Sequence, residues 1–117
     1  MNESILTSVK KLVGGITADY DAFDQDIIIH INTVLGILIQ MGIGTPGVFI
    51  TDATTTWQDF LNEDDLINLP AVKSWVALKV RMIFDPPTTS SVSEAMKETL
   101  KELEWRIYIA KNYIGEI

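Results

Sequence analysis

The chain has 117 residues and a formal net charge of −7, room for one domain with a modest core. With 47% hydrophobic residues and no cysteine, it excludes disorder, disulfides, thiolate metal sites and cysteine nucleophiles. No apolar run reaches the roughly 18 residues of a membrane span, and an acidic chain lacks the clustered Lys and Arg that grip phosphates. The start, Met1-Asn2-Glu3-Ser4, lacks the basic-then-apolar order of a signal peptide, so the expected compartment is the cytoplasm or an assembly built there.

Periodicity predicts a first helix from Asn2 or Glu3 to Val13, with Ile5, Leu6, Val9, Leu12 and Val13 on one stripe. Lys10 and Lys11 suit the negative end of its dipole, and Gly14-Gly15 stops it. After an acidic turn, a second helix is expected over 24–41. Ile27, Ile31, Val34, Leu38 and Met41 form one face, widened by Ile28, Leu35 and Ile39. Asp24 or Asp21 is the expected cap, with Phe23 as a hydrophobic staple onto Ile28. A helix this apolar must be buried on most sides, which hints at oligomerisation.

Residues 42–56 read as irregular, rich in Gly and Thr. Val48–Ile50 and Thr54–Trp57 have the composition of a small β-hairpin spanning 48–57. A short helix from Trp57 to Leu61, capped by Thr56, precedes an acidic loop at Glu63-Asp64-Asp65, expected to be solvated. A third long helix is predicted from Pro70 to Phe84, stopped by Asp85-Pro86-Pro87. Its inner face is Val72, Trp75, Val76, Lys79, Val80 and Ile83, with the Lys79 stem snorkelling; Lys73, Ala77 and Arg81 form its wet stripe. The last helix opens on Ser91-Val92-Ser93-Glu94, the pattern of a capping box. Its seam runs Val92, Met96, Leu100, Leu103, Ile107, Ala110 and Ile114, at alternating spacings of four and three. Trp105, Tyr108, Ile109 and Tyr113 lie outside that seam as a second apolar flank. The predicted fold is thus mainly all-α, a compact bundle of about four helices within a single domain, 1–117.

No catalytic constellation emerges. The lone histidine, His30, sits between Ile29 and Ile31 with Asp26 one turn back and no nucleophile, so it reads as structural or as an interface residue. Asp19 to Asp26 looks like a calcium loop, but the sixth and twelfth positions, which need Gly and a bidentate Glu, hold Asp24 and His30. Gly42-Ile43-Gly44-Thr45-Pro46-Gly47 is not a phosphate loop. No catalytic, cofactor-binding or metal-binding residue is assigned, and no cofactor is expected.

Three stretches, taken together and in order, carry a resemblance. The first is Ile5–Ile39, with its Gly-Ile-Thr acidic turn and Phe23-Asp24-Gln25-Asp26-Ile27-Ile28. The second is Val72–Arg81 closed by Phe84-Asp85-Pro86-Pro87. The third is Ser91–Ile107, with Glu102-Leu103-Glu104-Trp105-Arg106. The chain resembles the small head–tail connector, or adaptor, proteins of tailed double-stranded DNA bacteriophages. That resemblance implies a non-enzymatic helical virion protein of the neck. It implies a homo-oligomeric ring, usually a dodecamer, docked on the portal protein. Such a ring extends the channel through which DNA passes without specific binding. It also offers a platform to a stopper or tail-completion protein, with no membrane involved. Several members grip the portal through a C-terminal segment, a role the last helix would take here.

Charge is segregated. No Lys or Arg occurs between Leu12 and Val72, a stretch holding nine acids from Asp19 to Asp65. Those acids are therefore expected to face basic residues of a neighbouring protomer or of the portal. Lys73, Arg81, Lys97, Lys101 and Lys111 are the candidate interface cations, and Trp105, Tyr108, Ile109 and Tyr113 the candidate apolar contacts. The rival reading is a small helical protein-binding regulator acting as a dimer through the last helix, which light scattering distinguishes from a ring.

Overall fold

A computed structural model describes residues 3–14, 16–17, 19–66 and 68–113, without the side chains of 111–113. Six helices follow in order: α1 (Ile5–Gly14), α2 (Asp24–Gln40), α3 (Trp57–Phe60), α4 (Glu63–Leu66), α5 (Leu69–Phe84) and α6 (Ser90–Tyr113). The fold is all-α, and four of these helices are long. The centre is α5, against which α1, α2 and α6 each pack; α1 also touches α2.

The stripe Ile5, Leu6, Val9 and Val13 of α1 is buried, while Leu12 is exposed. Two chain segments distant in sequence meet at the start of this helix. Ile5 N–H donates to the Thr55 carbonyl (3.0 Å) and Trp57 N–H to the Glu3 carbonyl (3.1 Å), an isolated antiparallel bridge between Ser4 and Thr56. Buried Ser8 accepts the Trp57 indole N–H at 3.0 Å and donates to the Ser4 carbonyl at 2.6 Å, so both indole and hydroxyl are satisfied in the core.

Ile27, Ile28, Ile31, Val34, Leu35 and Leu38 of α2 are buried within a single chain. Most of the expected excess of apolar surface on this helix is thus covered by α1, α5 and the following loop. What remains uncovered is Ile29, 61% exposed. The cap differs from expectation: Phe23 occupies the N-cap position with no side-chain bond, and Asp24 is the first helical residue. The carboxylate is drawn away by Lys10, whose Nζ lies 2.8 Å from Asp24 Oδ1. Lys10 is only 1% exposed, so this lysine is a core residue rather than a solvated complement to the helix dipole. Phe23 does not staple its own helix; its ring meets Phe84 of α5 edge-on, with centroids 5.5 Å apart.

No hairpin forms at 48–57. The side chain of Asn32 replaces a partner strand there: its amide donates to the Ile50 carbonyl (2.9 Å) and its oxygen accepts Ile50 N–H (2.8 Å). With that backbone satisfied by a side chain on α2, strand pairing has nothing left to offer it. Gly44 adopts φ +88°, and a Cβ there would run into the Phe60 ring. The α3 turn has the predicted start. Thr56 Oγ1 accepts Asp59 N–H and the Asp59 carboxylate accepts Thr56 N–H, a complete capping box. The acidic loop is a single helical turn, α4, and Asp65 is buried in it, accepting Gly44 N–H at 3.0 Å. The expectation of a solvated loop fails at Asp65 because a backbone donor 21 residues away needs its oxygen.

Val72, Trp75, Val76 and Val80 of α5 are buried as predicted. Lys79 Nζ sits 5.6 Å from the Trp75 ring centroid, so the snorkelling chain ends over an indole face. Ala77 is also buried, because helices close on α5 from three sides; Ile83 is exposed instead. The last helix begins at Ser90, with the Thr89 carbonyl accepting Ser93 N–H at 3.1 Å. Ser91 therefore lies inside the first turn and is not its cap. Along the predicted seam Met96, Leu100 and Ile107 are buried, Leu103 and Ala110 half-buried and Val92 exposed. Gly15 and Ile114, which carried the helix stop and the end of the seam, lie outside the described residues.

Candidate assembly surface

Among the described residues, two clefts flank α6. In the first, Trp105, 59% exposed, stacks on the exposed Tyr108 ring with centroids 6.1 Å apart and planes inclined by 18°. Residues three and four apart on a helix are neighbours, so Trp105 shares a flank with Tyr108 and Ile109. Trp105 and Ile109 border a 540 Å³ cleft whose other wall is Asn68 and Ala71, at the start of α5. Arg106 lines the same cleft, held by Nε (3.2 Å) and Nη2 (2.7 Å) donating to Glu102 Oε1.

The second cleft, 320 Å³, lies where α1, α5 and α6 meet. Leu12, Leu78 and Leu103 form its apolar wall, with Ser74, Thr99 and Arg81 as its polar groups. Arg81 Nε is buried and reaches no acceptor among the described residues, and the guanidinium takes part in no ion pair there. A buried donor left unmatched costs about 1–3 kcal/mol.

Three other basic candidates, Lys73, Lys97 and Lys101, have partners in their own chain. Lys73 Nζ is bonded to Glu3 Oε2. Lys97 lies 3.5 Å from Glu94, and Lys101 3.7 Å from Glu98, each one turn away on α6. The side chains of Lys111 and Tyr113 lie outside the described residues. Many acids of the middle segment are engaged as well, by hydroxyls and backbone donors rather than by cations. The Thr17 hydroxyl holds the Asp19 carboxyl below the usual range, and the Thr54 hydroxyl and N–H do the same for Asp52. Lys73, and after it the Ser8 hydroxyl, lower Glu3. These short-range matches are invisible to a count of Lys and Arg.

A third feature is an aromatic chain at the junction of α2 and α5: Tyr20 against Phe23 (5.8 Å), Phe23 against Phe84, and Phe84 against His30 (6.3 Å, planes at 57°). His30 is half-buried with an aromatic neighbour, which fits a packing role. Among the described residues no three His, Asp or Glu gather as they would around a metal ion.

The surface therefore carries apolar clefts and aromatic flanks suited to protein contact, and no helix among the described residues is long and apolar enough to cross a membrane. No curated protein and no solved structure matches the chain. The family model of the phage connector protein matches residues 5–114, nearly the whole sequence, including every helix described above. With that match laid on an all-α fold, the chain belongs to the phage connector protein family, structural proteins of the virion neck.

Proposed function

We propose that this chain is one protomer of a homo-oligomeric ring that docks on the portal protein at the head vertex, extends the DNA channel and presents a platform to the stopper or tail-completion protein. The observation that carries the reading is the Trp105–Tyr108 pair, stacked and exposed on α6 beside an open cleft. Large aromatics left on a surface next to a cleft are typical anchors of protein interfaces. Ile109 and the Glu102–Arg106 pair would border that contact, with Tyr113 and Lys111 further along the helix. The net charge of −7 suits a channel through which DNA slides without adhering, since like charges repel.

Imaging of particles that contain the protein tests this directly: a ring is expected between head and tail. Trp105→Ala combined with Tyr108→Ala is expected to leave helix content unchanged and to abolish decoration of portal-bearing heads. Heads decorated by the double variant as well as by wild type would refute the reading. So would a purified protein that stays dimeric by light scattering in the presence of portal.

A further inference from the structure

Resting on the ring reading, we propose that protomers join head to tail by inserting the Asp26–Ile29 ridge of α2 from one copy into the α1/α5/α6 cleft of the next, Asp26 pairing with Arg81. The cleft supplies an apolar wall, Leu12, Leu78 and Leu103, and a guanidinium whose Nε is buried with no acceptor among the described residues. That combination selects a carboxylate attached to an aliphatic neighbour: the oxygen meets the outer nitrogens of a guanidinium that pairs with no acid among the described residues, and the hydrocarbon covers the leucines.

This chain presents such a pair. Ile29 is the most exposed of the large hydrophobic residues described, at 61%. Asp26 is exposed, lies three residues earlier on the same helix face, and takes part in no ion pair among the described residues. The other acids of the middle segment fit less well. Asp24, Asp59 and Asp65 are held by Lys10, Thr56 and Gly44. Asp19 and Asp52 are bonded to neighbouring threonine hydroxyls. Asp21 lies beside Phe23, whose ring is already set against Phe84, and Glu63 and Asp64 stand on the four-residue α4, whose Leu66 is packed against the protein's own core. The rigid helix leaves Asp26 and Ile29 as the acid-and-aliphatic pair that enters a cleft without unfolding a turn.

The two patches are distinct. No residue of α2 lines the cleft, and α2 packs elsewhere on α5. A contact between unlike patches is heterologous, and it closes into a ring when the rotation between neighbours divides a full turn. An isologous dimer would have to use some other surface.

The absence of cysteine makes the contact testable by cross-linking. Ile29→Cys and Leu78→Cys are introduced singly and together into the full chain, and oxidised at high protein concentration and in purified particles. The double variant is expected to give a ladder of covalent multimers. A mixture of the two single variants is expected to give covalent pairs between unlike chains, and neither single variant should link to itself. As a second arm, Asp26→Arg and Arg81→Glu should each weaken self-association roughly 30-fold or more, and the double exchange should restore it while circular dichroism reports normal helix content. A ladder that ends at pairs, or no Ile29–Leu78 link in either preparation, overturns the contact. If particles still show a ring in that case, the ring reading stands and only this interface is wrong. If charge exchange fails to restore association while the cysteine ladder forms, the pairing of Asp26 with Arg81 is overturned.

Discussion

The pairing of Lys10 with Asp24 makes a quantitative prediction. The Lys10 side chain is 2% exposed and that of Asp24 23%, so the two partners have unequal access to water. Asp24→Asn removes the carboxylate's charge and leaves the ammonium in the core, where its hydration cannot be recovered. Removing one partner of a buried pair costs about 3–5 kcal/mol, and the partial exposure of Asp24 points to the lower end, about 3 kcal/mol. Lys10→Met leaves a carboxylate that can turn to solvent, and its methylene volume is retained, so about 1 kcal/mol is expected. Combining the two should cost less than the sum, with a coupling of about 1–3 kcal/mol. Urea unfolding followed by far-ultraviolet circular dichroism measures all three differences, and thermal melts should show Asp24→Asn about 10 °C below wild type. Equal losses for the two single variants, or an additive double variant, would show that the pair is not a buried electrostatic clamp between α1 and α2.

Other perturbations have firm expectations. Trp75→Ala, at a fully buried site of α5, should cost about 3–5 kcal/mol in the same unfolding assay. Gly44→Ala should destabilise by more than about 1 kcal/mol, because the new Cβ meets both an unfavourable φ and the Phe60 ring. The Glu3 carboxyl is lowered by Lys73, so its contribution is present above the ordinary carboxylate range and fades as pH falls through the lowered value. At a side-chain exposure of 49% that contribution stays below about 1 kcal/mol, and Glu3→Gln should remove this part of the acid sensitivity of unfolding.

The long helices were legible because their apolar residues recur with a period that no other element satisfies. Bounds read from the sequence fall within about three residues of those found, and Thr56, Pro70 and Trp75 sit in their expected roles. Contacts that depend on residues far apart were not legible. Lys10 looked like a solvated complement to a helix dipole because its partner becomes adjacent only when α2 folds back on α1. Asp65 looked like part of a solvated acidic run because Gly44 gives no sign in the sequence that its N–H needs a carboxylate. The strand-like residues at 48–50 met a side-chain amide from Asn32 in place of a strand. On the surface, Trp105 and Tyr108 were readable as a flank outside the seam of α6. The cleft around Arg81 was misread as a wet stripe, since α5 seen alone cannot reveal that three helices surround it.

The central place of α5 also shapes how the protein can open. α1 and α2 brace each other as well as α5, and α1 is further tied to the Thr55–Trp57 segment, whereas the chief contact of α6 is with α5 alone. Amide protons of α1, α2 and α5 should therefore exchange with solvent together, through a transition close to global unfolding. Those of α6 can be released by a smaller excursion in which the last helix lifts off while the rest stays folded. A subunit with such a separately detachable arm can adjust the arm's angle to a partner without loosening its core.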